Sequence, residues 1–307
     1  MIATTNVPNI LWLGDRACDD PAEVGGKTAH LSRLAADYRV PSGFCLTAAA
    51  FDPEQSADAP LPPPLAAALA AAYEALARRV GVPEVPVAVR SSALDEDGEF
   101  ASFAGQHETE LNLVGAEAVL GAVARCWASG RNERVLAYRR QQGLNTEGVR
   151  VAVLVQQLVT ADTSAVVFSA NPISGNRDEV VVTASWGLGE SIVSGMVTPD
   201  TWVVRKADLA VLEERTGAKE RMTVAVTGGT REVAVPRLLR ERASLSRAQV
   251  AELAELGVEL EEKMGRPVDI EVAFAGDLLY LLQCRPITTL TESDTDASAT
   301  VPIQRRF

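Results

Sequence analysis

The segment VDIEVAFAGDLLYLLQCRP, residues 268–286, decides how the rest of the chain is read. It has the pattern of two short strands meeting at a tight turn around Ala275, Gly276 and Asp277. Side chains alternate faces along a strand. Asp269 and Glu271 therefore share one face of the first strand, and Gln283 and Arg285 share one face of the second. A three-residue loop over 275–277 pairs 269 with 283 and 271 with 281, and brings both sets to the same face. A two-residue loop sends them to opposite faces, because a one-residue slip flips every side chain. The three-residue register is the expectation here. In it, two carboxylates, an amide and a guanidinium converge beside apolar neighbours. Oxygen donors suit a hard cation such as Mg²⁺, and a planar guanidinium fork suits phosphate oxygens. An edge hairpin with a solvated polar face has the same pattern, and the hairpin alone does not choose between the two.

Working outward, 307 residues give room for one large or two ordinary domains with a sizeable core. Hydrophobic residues make up 47% but aromatic residues only 5%, so the core must rest mainly on Ala, Val and Leu. The net charge of −12, from 41 acidic and 29 basic residues, argues against non-specific nucleic-acid binding. It leaves room for a local basic pocket. Cys18, Cys45, Cys126 and Cys284 form no CxxC pair and have no histidine in zinc-ligand spacing. Free thiols in a reducing compartment are expected. There is no charged-then-apolar leader and no uncharged apolar run of 18 residues, so the expectation is a soluble cytoplasmic protein without a membrane partner.

Along the chain, helices are expected over 26–38, 65–80, 116–142 and 247–263, the last opened by a Ser246/Gln249 capping box. Strands are expected over 85–93, 149–159 (a central strand), 164–172, 179–186 and 200–206. The stretch 207–243 is poorly patterned and compatible with irregular hairpins. The class is α+β, with a helix-rich front half, a strand-rich back half and a boundary within 170–195. Units of 1–180 and 181–290 are expected, followed by a disordered tail at 291–307.

Several motifs carry possible chemistry. Gly25-Gly26-Lys27-Thr28 precedes a helix, where backbone amides and a lysine could meet phosphate. The first glycine of a P-loop is absent, Pro21 standing in its place, so a Walker A reading is rejected. Arg90 ends an apolar strand and must find a partner, either a structural carboxylate or a phosphate. Gly105 to Thr109 (GQHET) could fold over a polyphosphate. One of Gln156 and Gln157 must face inward at the end of an apolar strand.

In order, the chain reads GGKTAHL, VPSGFCLT, VRSSALDED, SFAGQHETELN, VLVQQLV, FSANP, WGLGE and DIEVA…LLQCRP. This series, over about residues 10–290, strongly resembles the ATP-binding domain of the phosphoenolpyruvate synthase, pyruvate phosphate dikinase and rifampicin phosphotransferase family. The resemblance implies an ATP-grasp-like fold in two lobes, with ATP and Mg²⁺ between them. It implies that Lys27 and Arg90 are phosphate-binding cations, and that Gly105 and Thr109 contact the polyphosphate. Gln156 looks like a nucleotide contact, Glu271 and Gln283 like Mg²⁺ and nucleotide ligands, and Arg285 like the phosphate clamp. Asp269 matches a further acidic position. The family's enzymes cleave ATP to AMP and pass phosphate to a carrier histidine in a TxGGxxSHAA-like motif. Neither His30 nor His107 stands in such a motif. A dikinase-type module working with separate histidine-carrier and acceptor-binding proteins is therefore expected. A stand-alone kinase (in which His107 could act), an ATP-grasp acid ligase and a non-catalytic ATP-binding subunit are the alternatives. Arg285→Ala is expected to abolish turnover and leave the fold intact.

Overall fold

The computed structural model describes residues 9–52, 56, 59–94, 109–130, 140, 150–287 and 290. Within them the strands form two antiparallel sheets and one separate hairpin. The first sheet holds β1 (Ile10–Trp12), β2 (Gly43–Leu46), β3 (Val87–Ala93), β4 (Thr109–Leu113) and β5 (Val151–Gln157), in the order β1-β2-β5-β3-β4. β5 lies at its centre, as the uninterrupted apolar run VAVLV requires of a strand covered on both faces. The second sheet holds β6 (Thr163–Phe168), β7 (Glu179–Trp186), β8 (Asp200–Arg205), β9 (Val211–Arg215), β12 (Val268–Ala275) and β13 (Leu278–Pro286). Its order is β13-β12-β6-β7-β8-β9. β10 (Arg221–Val226) and β11 (Gly229–Ala234) pair only with each other.

Each sheet has its own core. Helices α1 (Pro21–Val24) and α2 (Gly26–Leu34) precede the long helices α3 (Pro63–Val80) and α4 (Ala116–Ser129). α3 begins with proline in its first turn and ends at Gly81, whose φ of 77° supplies the left-handed cap. Leu69, Tyr73 and Leu76 of α3 and Val123 and Trp127 of α4 pack on Phe44, Val153 and Val155 of the first sheet. After the short α5 (Glu190–Val193) and α6 (Arg237–Arg240) comes α7 (Arg247–Met264), which carries the expected capping box at Ser246 and Gln249. Leu253, Leu256 and Leu260 of α7 cover Val167, Val180, Val182 and Ile270. Leu31 and Leu34 of α2 join this second core, although they lie near the start of the chain.

The α+β class stands. The strands change sheets between Gln157 and Thr163, where β6 joins β12 and β7. The front unit also gives α2 to the back core, so no single cut in sequence separates the two cores. The expected tail at 291–307 lies outside the described residues.

Candidate functional site

The 268–286 hairpin does not have the expected register. Ala275 pairs with Leu278, leaving a two-residue turn at Gly276 and Asp277. Gly276 has a φ of 56°, which primed hairpin turns need at their first central position. That turn alone would put the two polar sets on opposite faces. A bulge reverses the outcome: Val272 pairs with Leu281 but Glu271 pairs with Gln283, so Leu282 is an extra residue on β13. Beyond the bulge, Glu271 faces Gln283 and Asp269 faces Arg285. The four side chains share a face, by a different route from the one expected.

These residues form part of the wall of a cleft of about 760 Å³, a size suited to a small-molecule ligand. Lys27, Arg90, Thr109, Gln156, Asp269, Glu271, Gln283 and Arg285 all line it. Gly105 and His107 lie outside the described residues. Sequence reasoning passed over the turn after β7, where Leu188, Gly189 and Glu190 also line the cleft. Its WGLGE pattern was visible, but nothing local said which way the turn would point.

Local packing explains how the front-lobe residues arrive. Gly25 has a φ of 77°, and a Cβ there would lie 2.2 Å from the Ser92 Oγ. The start of α2 is thus pressed against the end of β3, which places Lys27 and Arg90 on one wall. Gln156 is the inward-facing glutamine. It is 1% exposed, and its Nε2 donates to the Pro41 carbonyl at 3.2 Å, which fixes the amide plane.

The charges are incompletely compensated. Arg285 donates from Nε and Nη2 to the Asp269 Oδ2, at 2.9 and 2.7 Å. The Asp269 Oδ1 is buried and has no hydrogen-bond partner among the described residues. Arg90 Nη1 stands 3.7 Å from the Glu271 Oε2, beyond hydrogen-bond length, and the buried Arg90 Nε is unpartnered among the described residues. Burial raises the Asp269 pKa above the usual carboxylate range, opposed by Arg285 and assisted by Glu271. Such perturbation concentrates at functional sites. The cleft offers oxygen donors from Asp269, Glu271 and Gln283 beside three cations. No group of three Asp, Glu, His or Cys able to hold a metal ion occurs among the described residues. A cation here would draw its remaining ligands from water or a bound phosphate, as Mg²⁺ commonly does.

Residues 54–305 match the family described as "Pyruvate phosphate dikinase, AMP/ATP-binding domain". A probable phosphoenolpyruvate synthase of Methanocaldococcus jannaschii is 38% identical, over 94% of this chain and 27% of its own length. A rifampicin phosphotransferase of Streptomyces sviceus is 40% identical, over 88% of this chain and 34% of its own. A phosphoenolpyruvate synthase of Pyrococcus furiosus is 43% identical, over 78% and 30%. The chain thus spans between 27% and 34% of the length of these three relatives. A D-alanine–D-alanine ligase from Bacillus anthracis complexed with ATP gives a TM-score of 0.31 at 10% identity, over 91% of this chain and 58% of that one, a likeness too slight to bear on the fold.

Proposed function

The chain belongs to the pyruvate phosphate dikinase AMP/ATP-binding domain family, and on that premise we propose that its cleft binds ATP with Mg²⁺ and performs the ATP half of a dikinase-type phosphotransfer. The observation that carries the reading is the meeting of Lys27, Arg90 and Arg285 with Asp269, Glu271 and Gln283 in one cleft. A polyphosphate brings several negative charges. Three cations from two lobes offset them and hold the chain of phosphates in line, which is most of what phosphoryl-transfer catalysis demands. Glu271 and Gln283, with Asp269 beside them, would hold Mg²⁺, which supplies neutralisation of the phosphate oxygens when bound. Thr109 and Gly105 would contact the polyphosphate, and Gln156 the nucleoside.

Arg285 takes the clamp role because its fork is already oriented by Asp269. A phosphate oxygen can replace or share that carboxylate without rotating the guanidinium. Asp269, relieved of part of its bond, would then turn to the cation. ATP would be cleaved to AMP, with the β-phosphate passing to a histidine carrier outside the residues described here and onward to an acceptor, and the γ-phosphate leaving to water as orthophosphate. The setting in this reading is the cytoplasm, where four buried free thiols are stable. No helix of the described residues is long and apolar enough to cross a membrane.

The test is product analysis. The chain is incubated with Mg²⁺-ATP and a histidine-bearing carrier domain from one of the longer relatives, and the nucleotides are separated. AMP and a phosphorylated carrier are expected. ADP as the only product would overturn the dikinase reading in favour of direct kinase or ligase chemistry.

A further inference from the structure

Asn112 belongs to β4, the edge strand of the first sheet, yet its side chain serves the other lobe. It is buried, with a φ of 60° in the left-handed region that asparagine tolerates better than most residues. Its Nδ2 donates to the carbonyls of Val226 and Gly229, both at 2.6 Å. Those two residues pair across the turn between β10 and β11. Both donors of one amide are therefore committed to one hairpin tip.

The root of the same hairpin is fixed to the second lobe. Lys219 and Asp200 form a fully buried ion pair just before β10. Leu188 N donates to the Thr223 carbonyl at 2.9 Å. Gly187 permits that approach, since a Cβ there would lie 2.4 Å from the Thr223 oxygen. Both ends of the hairpin thus touch segments that line the cleft. Thr109 and Leu111 of β4 stand on one side, and Leu188, Gly189 and Glu190 on the other. Thr230 of β11 also reaches the Glu190 Oε2 at 3.3 Å.

We propose that the β10–β11 hairpin is a fixed strut between the two cleft walls, and that Asn112 is a positioning residue that sets their separation for the nucleotide. The proposal rests on the nucleotide reading of the cleft. Hairpin and β4 share no ladder, and among the described residues the Asn112 amide is a polar link between them that a single substitution can remove. Asn112→Gly keeps the left-handed backbone and deletes the amide. Asn112→Asp keeps the shape and turns a carboxylate oxygen toward two carbonyls.

The test combines calorimetric titration of the whole chain with Mg²⁺-ATP and hydrogen exchange over 109–113 and 221–234. About tenfold weaker binding is expected in Asn112→Gly, the loss of two hydrogen bonds of ordinary net strength, and weaker binding still in Asn112→Asp. In the wild type, ATP should slow exchange in both segments together. In the variants the hairpin amides should lose that response, and the melting temperature without nucleotide should fall only by what two hydrogen bonds contribute. Wild-type affinity in both variants, with the hairpin amides exchanging freely, would overturn the strut. So would an affinity loss in variants whose hairpin amides still slow their exchange with ATP as in the wild type, which would make Asn112 merely structural. Absence of Mg²⁺-ATP binding by the wild type is a separate result, and it would remove the nucleotide reading itself.

Discussion

Two acid–base pairs in the second lobe have the same chemistry and opposite surroundings. Asp200 and Lys219 are wholly buried, and both Asp200 carboxylate oxygens are hydrogen-bonded. The carboxylate accepts from Lys219, from Gly217 N at 2.8 Å, and from the Ser244 N and Oγ at 2.7 Å each. Lys219 also donates to the Gly217 carbonyl at 3.0 Å. Asp269 and Arg285 are less deeply buried, with 11% and 20% of their side chains exposed, yet the Asp269 carboxylate is less satisfied. One Asp269 oxygen has no partner among the described residues. A buried pair is retained at low cost only when its remaining hydrogen-bonding sites are filled. The filled pair anchors a hairpin root. The Asp269 carboxylate lines a cleft and has bonding capacity left for a ligand.

The largest effect should come from breaking the filled pair. Lys219→Ala leaves Asp200 charged and buried, and should cost about 3–5 kcal/mol of stability, measured as a fall in the urea midpoint at constant slope. A loss below about 1 kcal/mol would put Lys219 in the class of surface ion pairs and erase the contrast.

At the cleft, the same kind of truncation should act on activity first. Arg285→Ala should lower turnover by about 10²–10³, the size of effect seen when one preorganised transition-state donor is lost. The sequence-based expectation that the fold would be untouched needs amending. Arg285 is not solvent-facing but holds Asp269, so its removal should cost about 1–3 kcal/mol as well. Asp269, whose pKa burial raises, can limit that cost by taking a proton. Full activity in Arg285→Ala, by the AMP-release assay, would break the site assignment.

How much of this could be read in advance follows from where the determinants lie. Lys27, Arg90, Glu271 and Arg285 sit in motifs beside strands with clear period-two or apolar patterns, and each reached the cleft. The bulge at Leu282 left no mark, because a leucine is acceptable at any strand position and only pairing reveals the extra residue. The same holds for Asp200 and Lys219, whose partnership spans 19 residues of weakly patterned chain. The β10–β11 hairpin had a usable signal. Gly228 and Gly229 stand between the alternating runs MTVAV and TREVA, a pattern that favours a hairpin turn. Asn112 had none, since its role depends on a left-handed backbone and on two carbonyls more than 100 residues away.

The smallest effect is the one that tests the contrast most directly, because it is a matter of protons rather than of deleted atoms. Asp269 has a pKa raised chiefly by burial, so the folded chain holds this proton more tightly than the unfolded chain does. Its contribution to stability is therefore most favourable at acid pH. It declines as pH rises from the unfolded carboxylate value of about 3.9 through the raised folded value, and is constant above that. Asp269→Asn cannot ionise and should lack this decline, while keeping an oxygen for Arg285 to bond. Melting curves of the two proteins recorded across that range should diverge as pH rises, the wild type losing relative stability. Mg²⁺ with ATP should close the gap, because a cation beside Asp269 favours its ionised form and only the wild type can respond. Parallel curves without ligand would mean that Arg285 already compensates the buried charge, and the cleft pair would then be as satisfied as the one at Asp200.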